Sequence, residues 1–154
     1  MPEDHRDDTR MLTHEMDSIL GISTDLDTAL DLLSDNMDSP SFPAYLAQQM
    51  EERGITPQQL SVLALLSRSF TYQICSGDRA PSRDIVLRLA IALKLTVEET
   101  QRMLRIAQRG ALYARVRRDA ILIFCLSRHL SLYDAEEMLL NQFEQPLLQK
   151  ENEK

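Results

Sequence analysis

Apolar residues recur along this chain at helical spacing, and nowhere with the strict alternation of a half-buried strand. Near the N-terminus, Leu12, Met16, Ile19 and Leu20 share one helical face. After Gly21, Ser23 or Thr24 can cap a second helix, with Leu26, Ala29, Leu30, Leu33 and Met37 on its apolar stripe. The run Asp38-Ser39-Pro40-Ser41-Phe42-Pro43 breaks that helix and reads as a linker. A helix over about 43–53 then buries Leu46 and Met50 and stops at Gly54, which suits a left-handed C′ position. Thr56-Pro57-Gln58-Gln59 is a capping box with proline at the first helical position. A second box, Thr96-Val97-Glu98-Glu99, opens a helix over 97–107 whose inner face is Thr100, Met103, Leu104 and Ala107, ended by Gly110. Further on, a helix over 113–129 carries Ile121-Leu122-Ile123-Phe124-Cys125-Leu126, apolar on every side, which predicts burial all round. Ser131 caps a last helix to about Phe143, and residues 149–154 form a polar tail. The expected fold class is all-α.

Composition narrows the setting. At 154 residues with 44% hydrophobic content, the chain can bury a real core. Its acidic start, MPEDHRDD, is the opposite of a signal peptide's basic one, and no apolar run approaches the ~20 residues of a membrane span. Cys75 and Cys125 both lie in apolar helical segments, so no disulfide framework is implied and a cytoplasmic location is expected. The net charge of −7 hides an asymmetry. Residues 1–40 carry −9, whereas residues 68–118 carry +7. In the acidic arm, Asp27, Asp31 and Asp35 recur every four residues, followed by Asp38. Like charges so placed destabilise an isolated helix by a few tenths of a kcal/mol per pair. They read as a solubilising face, or as a stripe that answers a basic surface. On the second reading the arm competes with DNA or an acidic partner for the basic half.

The stretch Leu60–Ser82, LSVLALLSRSFTYQICSGDRAPS, reads as two short helices joined by a tight turn and closed by a glycine-basic-proline stop. Leu60 and Gly77-Asp78-Arg79-Ala80-Pro81-Ser82, followed by Ile85–Leu95 (IVLRLAIALKL), resemble the phage-repressor/Cro-type (XRE-like) helix-turn-helix family over about residues 42–107. The resemblance implies a compact helical bundle that binds duplex DNA, usually as a symmetric dimer. It divides the chain into an acidic helical arm (1–40), a helix-turn-helix domain (41–110), a C-terminal helical pair packed on the core (111–145) and a polar tail (146–154). Four positions depart from the family pattern. Leu65 stands where the turn usually has glycine, Ser61 where alanine is usual, Cys75 where an acid is usual, and Pro57 where a phosphate-binding glutamine is usual.

Candidate chemistry concentrates on the helix at about 68–76. Thr71 and Ile74, with Ser67 and Cys75, fall on its inner face, leaving Arg68, Ser69, Tyr72, Gln73 and Ser76 outside. That outer face bears no acid, and arginine, glutamine and serine are the side chains that read base edges in the major groove. By the resemblance, Arg68, Ser69 and Gln73 match base-reading positions and Arg79 a backbone-contacting one. Candidate DNA contacts are therefore Ser67, Arg68, Ser69, Tyr72, Gln73, Arg79 and Arg83. Arg115, Arg117 and Arg118 sit where a helix opens, a place that disfavours cations unless an anion or a carboxylate joins them. They are candidate phosphate contacts, or surface arginines pairing with Asp119 or the acidic arm. Phe70 and Tyr72 are expected to put aromatic bulk near the outer face, which suits a protein partner as well as DNA. Hence two readings stand: a DNA-binding transcriptional regulator, homodimeric and without cofactor, or the same fold as a module for an acidic protein partner. Cys125 and His129, four residues apart, make at most two ligands of a metal site, and no nucleophile or phosphate-loop motif is present. Neither a catalytic nor a metal role is expected.

Overall fold

Six of the seven described helices begin at a serine or threonine whose hydroxyl accepts a backbone N–H three residues on. The computed structural model describes residues 40–148 and Leu26; the chain divides into two units, Met1–Ser39 and Pro40–Lys154. The expected arm helices, their aspartate stripe and the tail after residue 148 lie outside the described residues.

Helix α1 is Phe42–Arg53, α2 Pro57–Leu63, α3 Arg68–Ser76, α4 Arg83–Ala92, α5 Val97–Ile106, α6 Arg117–Ser127 and α7 Leu132–Asn141. Among the described residues there is no strand, and the fold is all-α. Both capping boxes form. Thr56 and Gln59 exchange bonds of 2.9 and 3.2 Å, and Thr96 and Glu99 bonds of 2.8 and 3.0 Å. No helix is long and apolar enough to cross a membrane among the described residues.

Helix α4 is the hub, packing on α2, α5, α6 and α7. Every residue from Ile85 to Ala92 is buried, Arg88 included. All-round burial therefore belongs to α4 and not, as the apolar run 121–126 suggested, to α6. Helix α6 packs on α4, α5 and α7 but keeps an outer side, where Phe124 is 40% exposed. The Arg128 guanidinium covers that ring at 3.6 Å from its centroid. The helix is also shorter than 113–129. Residues 113–116 form a turn closed by Val116 N–H on the Tyr113 carbonyl at 2.9 Å, and Val116 offers no side-chain cap.

The helix ends share one device. Each of the seven is followed by a residue at positive φ, but only Gly54 and Gly77 are glycines. Leu65, Lys94, Gln108, His129 and Phe143 adopt φ of 53–59° with a Cβ in place. A left-handed residue with a side chain costs roughly 1–2 kcal/mol, partly offset by its smaller entropy loss relative to glycine. Gln108→Gly and Phe143→Gly, at exposed positions, are each expected to stabilise the fold by about 0.5–1 kcal/mol. Thermal unfolding checks this; a lower midpoint for both variants would refute the strain.

Candidate nucleic-acid interface

The apolar faces of α2 and α3 are tied by Leu60, Ala64, Leu66, Phe70 and Ile74, all buried. Between them runs the turn Ala64–Ser67. Leu65 bends it with φ 57°, the conformation for which glycine is the usual residue. Arg88 reaches up from α4 to hold this bend. Its Nε donates to the Ala64 carbonyl at 3.1 Å and its Nη2 to the Leu65 carbonyl at 2.5 Å. These are the unpaired carbonyls at the negative end of α2, so the buried cation meets a favourable field there.

Helix α3 starts at Ser67, whose Oγ accepts the Phe70 N–H at 3.1 Å, and buried Thr71 donates its hydroxyl to the Ser67 carbonyl at 2.9 Å. Ser67 is thus an exposed cap and not an inner-face residue as its spacing suggested. Arg68, Ser69, Tyr72 and Ser76 are exposed and Gln73 is half-buried. Phe70 departs from expectation. It is only 5% exposed, because it precedes Ile74 by one turn on the stripe packed against α2 and therefore adds no bulk to the outer face.

The loop Gly77–Ser82 returns Arg79 onto α3. Its backbone N–H bonds the Gln73 carbonyl at 3.2 Å, its Nε bonds the Gln73 Oε1 at 3.1 Å, and its guanidinium lies 5.4 Å from the centroid of the Phe70 ring. Arg109 holds the same loop by donating from Nε to the Pro81 carbonyl at 2.9 Å.

Arg83 is occupied elsewhere. It donates to the Gly110 and Ala111 carbonyls at 2.9 and 2.8 Å and to the Asp119 carboxylate at 2.9 Å. Arg118 answers with a two-pronged pair to Asp84 at 3.0 and 3.1 Å and with bonds to the Gln145 and Pro146 carbonyls. Arg-Asp dipeptides at the starts of α4 and α6 thus exchange partners, and each carboxylate offsets the positive end of its own helix. Arg117 bonds Gln142 and pairs with Glu144 at 3.4 Å. Of the three arginines there, Arg115 alone is exposed without an ion pair among the described residues. Arg83, Arg117 and Arg118 work within the fold, and Arg118 meets Asp84 rather than Asp119.

At the start of α2, Pro57 has no N–H and the Gln59 N–H is taken by the cap. The Gln58 N–H forms no hydrogen bond among the described residues, and the Gln58 side chain beside it is exposed. Nearby lies an open groove of about 650 Å³ lined by Gly54, Ile55, Thr56, Gln58, Gln59, Val62 and Leu63, with Val62 68% exposed. Residues 40–148 hold thirteen Arg and Lys against eleven Asp and Glu, so the chain's acidity resides in the other unit.

The cysteines sit apart from this surface chemistry. Burial pushes both thiols up from their ordinary range, and Asp134 adds to the effect at Cys125. Cys125 packs its sulfur 3.6 Å from that of Met138, whereas His129 is exposed beyond the helix end. Among the described residues, no three His, Cys, Asp or Glu side chains gather as a metal site.

Sequence reasoning missed Arg88 and the Arg-Asp exchange. A cation inside the apolar run 85–95, and the same dipeptide opening two helices, were the available signals. No curated protein and no solved structure matches the chain. Residues 42–103, from the start of α1 into α5, match the family model of a helix-turn-helix domain.

Proposed function

We propose that the helix-turn-helix domain of residues 42–103 binds duplex DNA and makes the chain a cytoplasmic transcriptional regulator of the Cro/repressor-like type. The carrying observation is the outer face of α3. Arg68, Ser69, Tyr72, Gln73 and Ser76 form an acid-free row beside Arg79, with every side chain able to hydrogen-bond. Phosphate contacts fall to Arg115, Gln58 and the remaining exposed cations such as Arg105. A homodimer would set two copies of α3 about 34 Å apart on successive major-groove faces.

Binding to a random duplex pool across a salt series tests this. Affinity should fall by ~0.9 log units per phosphate contact for each log unit of salt. On a selected site, Arg68→Ala should cost roughly 1–3 kcal/mol and relax one base position, with a much smaller loss on random duplex. Equal losses on both would remove α3 as the reading helix.

A second reading has its own observation. Val62 and Leu63 are exposed on the groove that Gln58 and Gln59 also line, where a DNA-binding surface would want polar groups. That apolar edge suits the same fold acting as a module for a protein partner, whose acids would answer exposed cations such as Arg68 and Arg105. Folded protein that binds no duplex at low salt would favour it.

A further inference from the structure

We infer that Gln73 and Arg79 act as one preformed reading unit that selects guanine, and that Arg79 is thereby a specificity-determining residue. The inference rests on the DNA-binding reading above. A glutamine free to turn offers both its oxygen and its amino group, and pairs with adenine by accepting from N6 and donating to N7. Gln73 is not free in this way. A guanidinium can only donate, so the amide oxygen must be the atom that faces the Arg79 Nε at 3.1 Å, and the amino group is turned away from it. The orientation follows from the chemistry of the partner.

Two further contacts hold the arrangement. The Arg79 N–H bonds the Gln73 carbonyl at 3.2 Å, fixing the loop on the last turn of α3. The Phe70 ring, itself buried, gives the guanidinium a face to rest on at 5.4 Å. Arg79 keeps its two Nη groups, for which no other hydrogen bond is formed among the described residues. The unit therefore presents donors outward: the Gln73 amino group and the Arg79 Nη groups.

Base edges differ in how well they answer a row of donors. Guanine offers two acceptors in the major groove, O6 and N7, and no donor. Adenine sets its N6 donor against the Gln73 amino group, cytosine likewise its N4, and thymine offers O4 alone. Guanine is the best match. Turning Gln73 back toward adenine requires breaking the Arg79 bond first.

The test uses the full chain and selection of sites from a random duplex library. Gln73→Ala first identifies the base position that relaxes, which is the one Gln73 faces. Wild-type protein should hold guanine there by about tenfold over adenine, and Arg79→Met, which keeps the stem over Phe70, should shift the preference toward adenine. In the free protein, the Arg79 Nε–H should exchange slowly with solvent, and faster in Gln73→Ala. Adenine selected by the wild type, or an unchanged base under Arg79→Met, overturns the inference and leaves DNA binding standing. Fast Nε–H exchange in the wild type also overturns it. Folded protein that selects no duplex overturns the DNA-binding reading, and this inference with it.

Discussion

Arg88→Met is expected to lower stability by about 2–5 kcal/mol, out of proportion to the little volume it changes. The side chain is only 2% exposed and donates to two carbonyls that lie beyond the last hydrogen bonds of α2. Methionine fills most of the space, so the packing term is small. The cost is electrostatic and polar: each buried carbonyl left without a donor costs roughly 1–3 kcal/mol. The same loss frees the bend at Leu65, whose left-handed backbone is held against its own preference. Adding Leu65→Gly to Arg88→Met should therefore recover less than about 1 kcal/mol, since glycine removes the strain but also the apolar contacts of the half-buried Leu65 side chain. Urea unfolding reads both effects from the midpoint at constant slope. A loss below 1 kcal/mol for Arg88→Met would mean that the turn does not depend on this clamp.

That contact also explains which parts of the fold could be read from sequence. Three helix starts were legible because a cap is a local event, whereas α6, which has no side-chain cap, starts four residues later than its pattern suggested. Thr56 with Gln59, Thr96 with Glu99, and Ser131 each act within three residues, so pattern and structure agree. The α3 boundaries were legible too, but the sequence pattern puts Ser67, its cap, on the inner face and Phe70 near the outer one. What failed depends on distant neighbours. The run 121–126 is more apolar than α4, yet α4 is enclosed because α2, α5, α6 and α7 surround it. Arg88 marks the core by being charged, which composition reads as exposure. Leu65 departs from the usual turn glycine, and the reason it is tolerated lies 23 residues on, in the arginine bonded to its carbonyl. Arg83 and Arg118 were legible as basic residues near the site, but their partners lie 36 and 34 residues away. A charge count cannot tell a solvated arginine from one already engaged.

Those two arginines carry the other large expected effect. Asp119 has 5% of its side chain exposed, accepts from Arg83 at 2.9 Å and caps the Tyr113 N–H at 3.0 Å. Asp119→Ala removes both bonds at once and leaves a part-buried guanidinium without its carboxylate. Breaking a buried pair from one side typically costs 3–5 kcal/mol, and that is the loss expected here. Asp84→Ala should cost less, about 1–2 kcal/mol, because the Asp84 carboxylate is 18% exposed and bonds Arg118 without also capping a backbone N–H among the described residues. The pairs lie on adjacent residues at both ends, so they should not behave independently. A cycle across Asp84 and Asp119 should show coupling of about 0.5 kcal/mol or more. High salt should change the cost of Asp119→Ala little, since a buried pair is poorly screened. The functional consequence follows from position. Arg83 immediately follows the loop that ends α3, and Arg109 donates to Pro81 from the segment that Arg83 ties down. Loosening the exchange should therefore release α3 at its C-terminal end. Hydrogen exchange should rise across Gly77–Ser82 in Asp119→Ala before the whole domain opens. If exchange there stays at the wild-type level while α6 and α7 loosen, the C-terminal pair stabilises the fold without positioning α3.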